Sequence, residues 1–246
     1  MKTRSVQTGA QSFPIQTEYQ DDKQEKKQKL VRNEFLDRGG NKFGIPLVKK
    51  QNIDLTKIEP WSFVKTKLED EENKHKTIHF FTYDWLFETV FDKPEKAFEK
   101  LDQYYAVMGP EFSTYKDMPY AVQLWSVFKS RWCCAFWQKH GLKVIPTIAW
   151  GTPDSHEFCF EGVEQGSTVA VSTYYSQDNK KGFMEGYEKM LEKIKPSAIL
   201  CYGVPFREMR GNVIELSPYD HKALIKQLGQ DEYVRRYMAG DLYPSN

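Results

Sequence analysis

Apolar positions along this chain fall into short runs separated by amphipathic stretches. Apolar or β-branched runs at Thr77–Thr82, Tyr105–Gly109, Lys143–Ala149, Thr168–Thr173, Ala198–Tyr202 and Val213–Leu216 predict strands. Between and after them, helical spacing and end signals predict helices at Trp85–Val90, Pro94–Tyr104, Pro119–His140, Lys181–Ile194, His221–Leu228 and Asp231–Met238. Such alternation implies a parallel sheet with right-handed crossovers. The expected class is α/β, with a TIM-barrel-like or incomplete barrel favoured over an open doubly wound sheet. The predicted strands are fewer than a full (β/α)8 barrel needs, and the segments at 49–61 and 156–160 are the ones that would add to them. Pro146 removes a ladder donor inside the third strand and marks a bulge or the strand's end.

The longest helix organises the rest. Asp117 is placed as its N-cap, Pro119 in the first turn and Gly141 at a left-handed C-terminal cap. Leu124, Trp125, Phe128, Trp132, Ala135 and Phe136 gather on one face, with Gln123, Ser126, Lys129 and Ser130 on the other. Val127, Cys133, Cys134 and Trp137 interrupt the polar side, so the helix is expected to be covered over more than half its circumference.

Composition changes this picture at the N-terminus. Residues 1–40 are rich in Gln, Lys, Glu and Asp, with the run DDKQEKKQK, and read as a flexible charged tail whose KQEKKQK portion is a candidate contact for nucleic acid or an acidic partner. Residues 41–246 are expected to form a single α/β domain, with a surface arm between Lys49 and Lys76. Lys and Arg number 35 against 34 Asp and Glu, so there is no global basic excess for a nucleic-acid backbone. No apolar run is long enough to span a bilayer, and the N-terminus has no apolar signal core, so a cytoplasmic protein without membrane contact is expected. The four cysteines lack CxxC spacing, which argues against a zinc ribbon.

In either parallel architecture, ligands sit at the carboxyl ends of the strands. Asp84, Glu111, Thr147, Trp150, Ser172, Tyr174, Tyr175, Tyr202 and Gly203 occupy those positions. Asp84 and Glu111 are the candidate acid/base pair; alternatively they bind a divalent metal with Asp117 or Asp154, or serve only as a helix cap and a binder of backbone amides. Arg131, mid-helix beside Trp132, is a candidate for a salt bridge or for binding an anionic ligand. Trp150, Tyr174, Tyr175 and Tyr202 are candidates for stacking a sugar or base, or for packing. GxxxxGK[ST], GxGxxG after a strand, HExxH and GxSxG are all missing, and the five histidines show no ligand spacing.

Taken in order, Gly44-Ile45-Pro46, HFFTYD ending at Asp84, GPEFSTYKDMP from Gly109, the helix with Arg131-Trp132, VIPTIAW ending at Trp150, FCFEG from Phe158 and CYG ending at Gly203 resemble the uncharacterised family DUF4417 over about residues 40–217. The resemblance implies a protein of bacteria, phages or mobile elements and carries no established activity. Glu111 stands where that family more usually has Asp in a PDFS motif, which sets the carboxylate one methylene further out. The leading expectation is a hydrolase with a polar, aromatic-lined pocket that acts through Asp84 and Glu111 on a nucleotide, nucleic-acid end or glycoside. The competing expectation is a non-catalytic module that binds protein or nucleic acid.

Overall fold

Each strand divides its side chains between two cores, as the period of two requires. In the computed structural model, which describes residues 26–27, 31–35, 40–174, 176, 179–216, 225–226 and 228–239, seven strands alternate with helices. They are β1 (Pro60–Ser62), β2 (Thr77–His79), β3 (Ala106–Met108), β4 (Val144–Ile145), β5 (Thr168–Ser172), β6 (Ala198–Tyr202) and β7 (Val213–Leu216). The helices are α1 (Thr89–Asp92), α2 (Pro94–Leu101), α3 (Tyr120–Lys139), α4 (Lys180–Ile194) and α5 (Gln230–Ala239). Ile78, Val107 and Val144 point into a core shared with α1 to α3, and Val169, Val171, Ile199 and Cys201 into one shared with α4. Ala106, Met108, Ile145, Ala170, Leu200 and Leu216 point the other way and pack on one another.

Every strand pair is parallel, in the order β1-β2-β3-β4 and β5-β6-β7. A parallel bridge between Thr147 and Ala170 joins the two sets. Spatial order therefore follows chain order, without the reversal that defines a doubly wound sheet. The sheet also curls: the Phe81 ring, just after β2, stacks on Tyr202 at the end of β6 with centroids 4.6 Å apart. Rings so far apart in strand order meet only across a concave face, so the architecture is barrel-like. Among the described residues β1 does not pair with β7.

Three expectations need correction. The segment taken as a surface arm contributes β1, and Phe63 beside it is buried and stacks on Phe80. Trp85–Val90 is a 3₁₀ turn at Asp84–Leu86 followed by the short α1, not one helix. The strand predicted over Lys143–Ala149 is only Val144–Ile145: of the two readings of Pro146 the strand's end is the one found, since Pro146 has no N–H to donate, although its carbonyl still accepts from Ala170 at 3.0 Å. The charged tail and the predicted helix at 221–228 lie largely outside the described residues.

Helix α3 is covered over more than half its circumference, as expected, with Trp132, Ala135 and Phe136 of the predicted face buried, but its polar side is buried as well and the predicted face opens at Trp125. Gln123, Ser126, Ser130 and Arg131 are buried, whereas Trp125 is 47% exposed. The reason lies in the backbone the helix covers: loop and strand-end carbonyls need donors, and Gln123 and Arg131 supply them while large apolar rings cannot. Trp125 instead packs on Phe91 and Phe128 at the edge. At its start Pro119 is the N-cap and no side chain caps the helix, so Asp117 does not have the role its position predicts. At its end, Gly141 at φ 96° allows the amides of Gly141 and Leu142 to reach the carbonyls of Gln138 and Trp137, both at 3.1 Å, in a Schellman cap.

The second half of α3 anchors the larger core. Trp132 is 1% exposed and meets Phe35, Phe91 and Phe136 at centroid distances of 5.3, 5.6 and 5.4 Å. Trp132→Ala is expected to cost about 3 kcal/mol or more in urea melts; an unchanged midpoint would show that this core does not hold the domain.

Candidate functional site

A cavity of about 280 Å³ opens where β2 to β5 end. Its wall includes Tyr83 after β2, Glu111 and Lys116 after β3, Trp150 after β4, Ser172 at the end of β5 and Asn179 before α4. All these positions share one rim because parallel strands in sequence order bring every carboxyl end to the same side. Trp150 is seated by Phe183 and Phe160, at centroid distances of 4.9 and 5.9 Å. Its indole lies over Gly186 in α4, where an added Cβ would collide with the ring. Glycine inside a helix costs roughly 0.5–1 kcal/mol relative to alanine, and here it makes room for a cavity wall.

The two candidate carboxylates take different roles. Asp84 is not on the wall; its two oxygens accept from the Ser113 amide at 3.0 Å and the Ser113 hydroxyl at 2.8 Å. Glu111 lines the cavity, half-buried, and accepts or donates no hydrogen bond among the described residues. Burial, with the Asp84 charge as second cause, pushes its carboxyl up to about 8. Asp84 is thus held by two donors, whereas its neighbour Glu111 is raised by burial and by the Asp84 charge.

Of the other predicted positions, Trp150 and Ser172 join Glu111 on the wall. Thr147 is buried and donates to the Gly109 carbonyl at 2.7 Å, tying the ends of β3 and β4 together. Among the described residues Arg131 has no carboxylate partner, and it is not on the cavity wall. Fully buried, it donates to the carbonyls of Thr147 at 2.7 Å, Cys159 at 3.0 Å and Glu161 at 3.2 Å. Tyr174 and Tyr202 face each other at 6.0 Å, off the wall. Asp117 is exposed and off the wall, and Tyr175 lies outside the described residues. Among the described residues, no group of three or more His, Cys, Asp or Glu side chains is placed to hold a metal ion. The four cysteines are buried, and among the described residues none forms a disulfide.

Sequence reasoning missed Ser113, Tyr83, Lys116, Asn179 and Phe183. Ser113 had a signal: it lies in the same stretch as Glu111, two residues on. His79 was also missed as an interior group. Its ring sits 4.8 Å from that of Tyr202, and burial, then the Lys65 charge, pulls it down to about 4, so it is neutral at pH 7.

The chain belongs to the DUF4417 family, a domain of unknown function that matches residues 39–220. It is 42% identical over 129 residues to the Gene 1 protein of Mycobacterium phage L5, a match covering 51% of this chain and 56% of that protein. The Gene 1 protein of Mycobacterium phage D29 is 40% identical over 129 residues, covering 51% of this chain and 48% of its own length. The chain thus spans about half the length of the curated relatives it matches. No solved structure matches. Among the described residues, no helix is long and apolar enough to cross a membrane.

The raised Glu111 carboxyl fixes a sign for stability. Between its ordinary value of 4.5 and about 8 the folded state holds a proton that the unfolded state has released, so this group lowers stability as pH rises through that window. Glu111→Gln is expected to flatten the decline of the melting temperature between pH 5 and pH 9. Parallel declines in the two proteins would mean that Glu111 titrates normally.

Proposed function

We propose that the cavity is the active site of a hydrolase in which Glu111 moves the proton. The observation that carries this reading is a carboxyl on the cavity wall without a hydrogen-bond partner among the described residues, raised by burial and by the neighbouring Asp84 charge. A general acid works best with a pKa near the operating pH, and burial beside a fixed carboxylate is the usual route to one. Glu111 donates its proton to the departing atom of the substrate. As a carboxylate it then takes a proton from the attacking water. Asp84, held by Ser113, acts on Glu111 through its charge and is a positioning residue rather than a partner in the proton transfer. The substrate fits a cavity of about 280 Å³ and belongs among nucleotides, nucleic-acid ends and glycosides.

One observation favours a second reading, a non-catalytic module for a protein or nucleic-acid partner. Leu68, Trp85 and Tyr115 are 68%, 69% and 59% exposed, in the loops that follow β1, β2 and β3. Exposed apolar surface of this kind marks interaction sites as well as ligand clefts.

The two readings separate in a pH–rate profile with small hydrolysable substrates. The hydrolase reading expects activity below pH 8 that falls above it, because the proton donor is lost. Asp84→Asn moves that limb to lower pH, and Glu111→Gln lowers kcat by about 10² to 10⁴ with little change in binding. A Glu111→Gln protein as active as its parent would transfer the case to the binding module.

A further inference from the structure

The rim of the cavity carries an aromatic arrangement that the proton chemistry does not use. Tyr83 and Trp85 lie parallel, with centroids 4.3 Å apart and planes 8° from each other. They are 53% and 69% exposed, so two large rings stand in water and hold each other flat. Trp85 takes one face of Tyr83. Among the described residues no second ring stacks on Tyr83, and Tyr83 is on the cavity wall with Glu111 while Trp85 is not. A third flat ring continues such a stack and removes apolar surface from water as it does so.

The charges on the same wall restrict what that ring carries. Lys116 is the cation among the lining residues, and it is exposed. The lysines that open α4 are occupied elsewhere: Lys180 pairs with Glu208 at 2.9 Å and Lys181 with Glu185 at 4.0 Å. A phosphate in the cavity meets little compensating charge, and the Asp84 carboxylate lies close behind. Ser113, Ser172, Ser176 and Asn179 instead offer hydroxyl and amide groups suited to uncharged hydrogen-bonding edges.

We infer that the Tyr83–Trp85 stack is the ring-binding subsite of this cavity and that its ligand is a nucleoside, the base lying on Tyr83 and the sugar turned toward Glu111. The inference rests on the hydrolase reading above for its reaction, and on the stack alone for its binding. The bond in reach is the N-glycosidic one. Glu111 gives its proton to the departing base nitrogen as the C1′–N bond breaks, water oxygen bonds to C1′, and the proton released by that water returns to Glu111. The products are free base and free sugar, with no oxidant, reductant or further reactant.

The test uses the full chain and follows tryptophan fluorescence and base release by chromatography. Probes are adenosine and cytidine, their 5′-monophosphates, methyl β-riboside and a short single-stranded oligonucleotide. Nucleosides are expected to bind more tightly than their phosphates, and methyl riboside to leave the fluorescence unchanged. Tyr83→Ala weakens nucleoside binding about 5-fold or more, as loss of a stacked base does, while Tyr83→Phe keeps it and both retain the parent melting temperature. Glu111→Gln binds nucleosides and releases no base. Preferential binding of the oligonucleotide, still dependent on Tyr83, keeps the stack as a base subsite and overturns its assignment to a nucleoside. Unweakened binding in Tyr83→Ala, or tighter binding of the phosphates or of methyl riboside, overturns the inference. Tyr83-dependent binding without base release overturns the hydrolase reading and keeps the subsite; Glu111-dependent hydrolysis of another substrate, indifferent to Tyr83, does the reverse.

Discussion

The Ala170 amide, donating to the Pro146 carbonyl at 3.0 Å, and the Ala170 carbonyl, accepting from the Ile148 amide at 2.8 Å, join the two sets of strands on either side of Thr147. Pro146 ends β4 early, so β4 and β5 meet through the bridge at Thr147 and Ala170 and not through a full ladder. The Thr147 hydroxyl reaches back to Gly109 beyond β3, and its carbonyl accepts from Arg131 on α3. Arg131 also holds the carbonyls of Cys159 and Glu161, in the connection from β4 to β5. A buried guanidinium without a carboxylate is costly unless every donor is directed at an acceptor, and hydrogen bonds to a charged group are worth roughly 1.5–3 kcal/mol each. The charge therefore fixes a seam between strands where the ladder itself is weak.

The cavity opens beside that seam. Ile148 to Gly151, the residues directly after Thr147, form one side of it, and Glu111, two residues beyond Gly109, another. A shift of Thr147 would move both sides, since Gly109 and Trp150 depend on the same connection. Within this frame the carboxylates are separated by environment and not by chemistry. Ser113 gives Asp84 two donors, and nothing among the described residues gives Glu111 one. Burial and the Asp84 charge then act together on Glu111, which makes a proton donor available at neutral pH.

Much of this fold was legible in the sequence, because β5 to β7 and α4 are long enough for their apolar period to stand out. Strands β6 and β7 match the predicted bounds. Strand β1 showed only as a segment, 49–61, able to add a strand, since Pro60–Ser62 is half-buried at the sheet's edge and too short to set up a period. The polar side of α3 was misread for a different reason. Periodicity weighs side-chain apolarity, whereas Gln123 and Arg131 are buried by the need of backbone carbonyls for donors, and that need belongs to other segments of the chain. The strand-end rule found Glu111, Trp150 and Ser172. It also named Thr147 and Tyr202, which sit at strand ends but bind backbone or pack on His79. Position along a strand says which end a residue occupies, not whether its side chain turns to the cavity or to the sheet.

The central claim is that Glu111 holds its proton at neutral pH inside an open cavity. Carbon-13 NMR of the side-chain carboxyls, titrated from pH 4 to pH 10 with Glu111→Gln to assign the resonance, measures this without a substrate. The account predicts a midpoint near 8 that falls in Asp84→Asn. A midpoint near 4.5 in the parent protein would contradict it, leaving a polar cavity with an ordinary carboxylate on its wall.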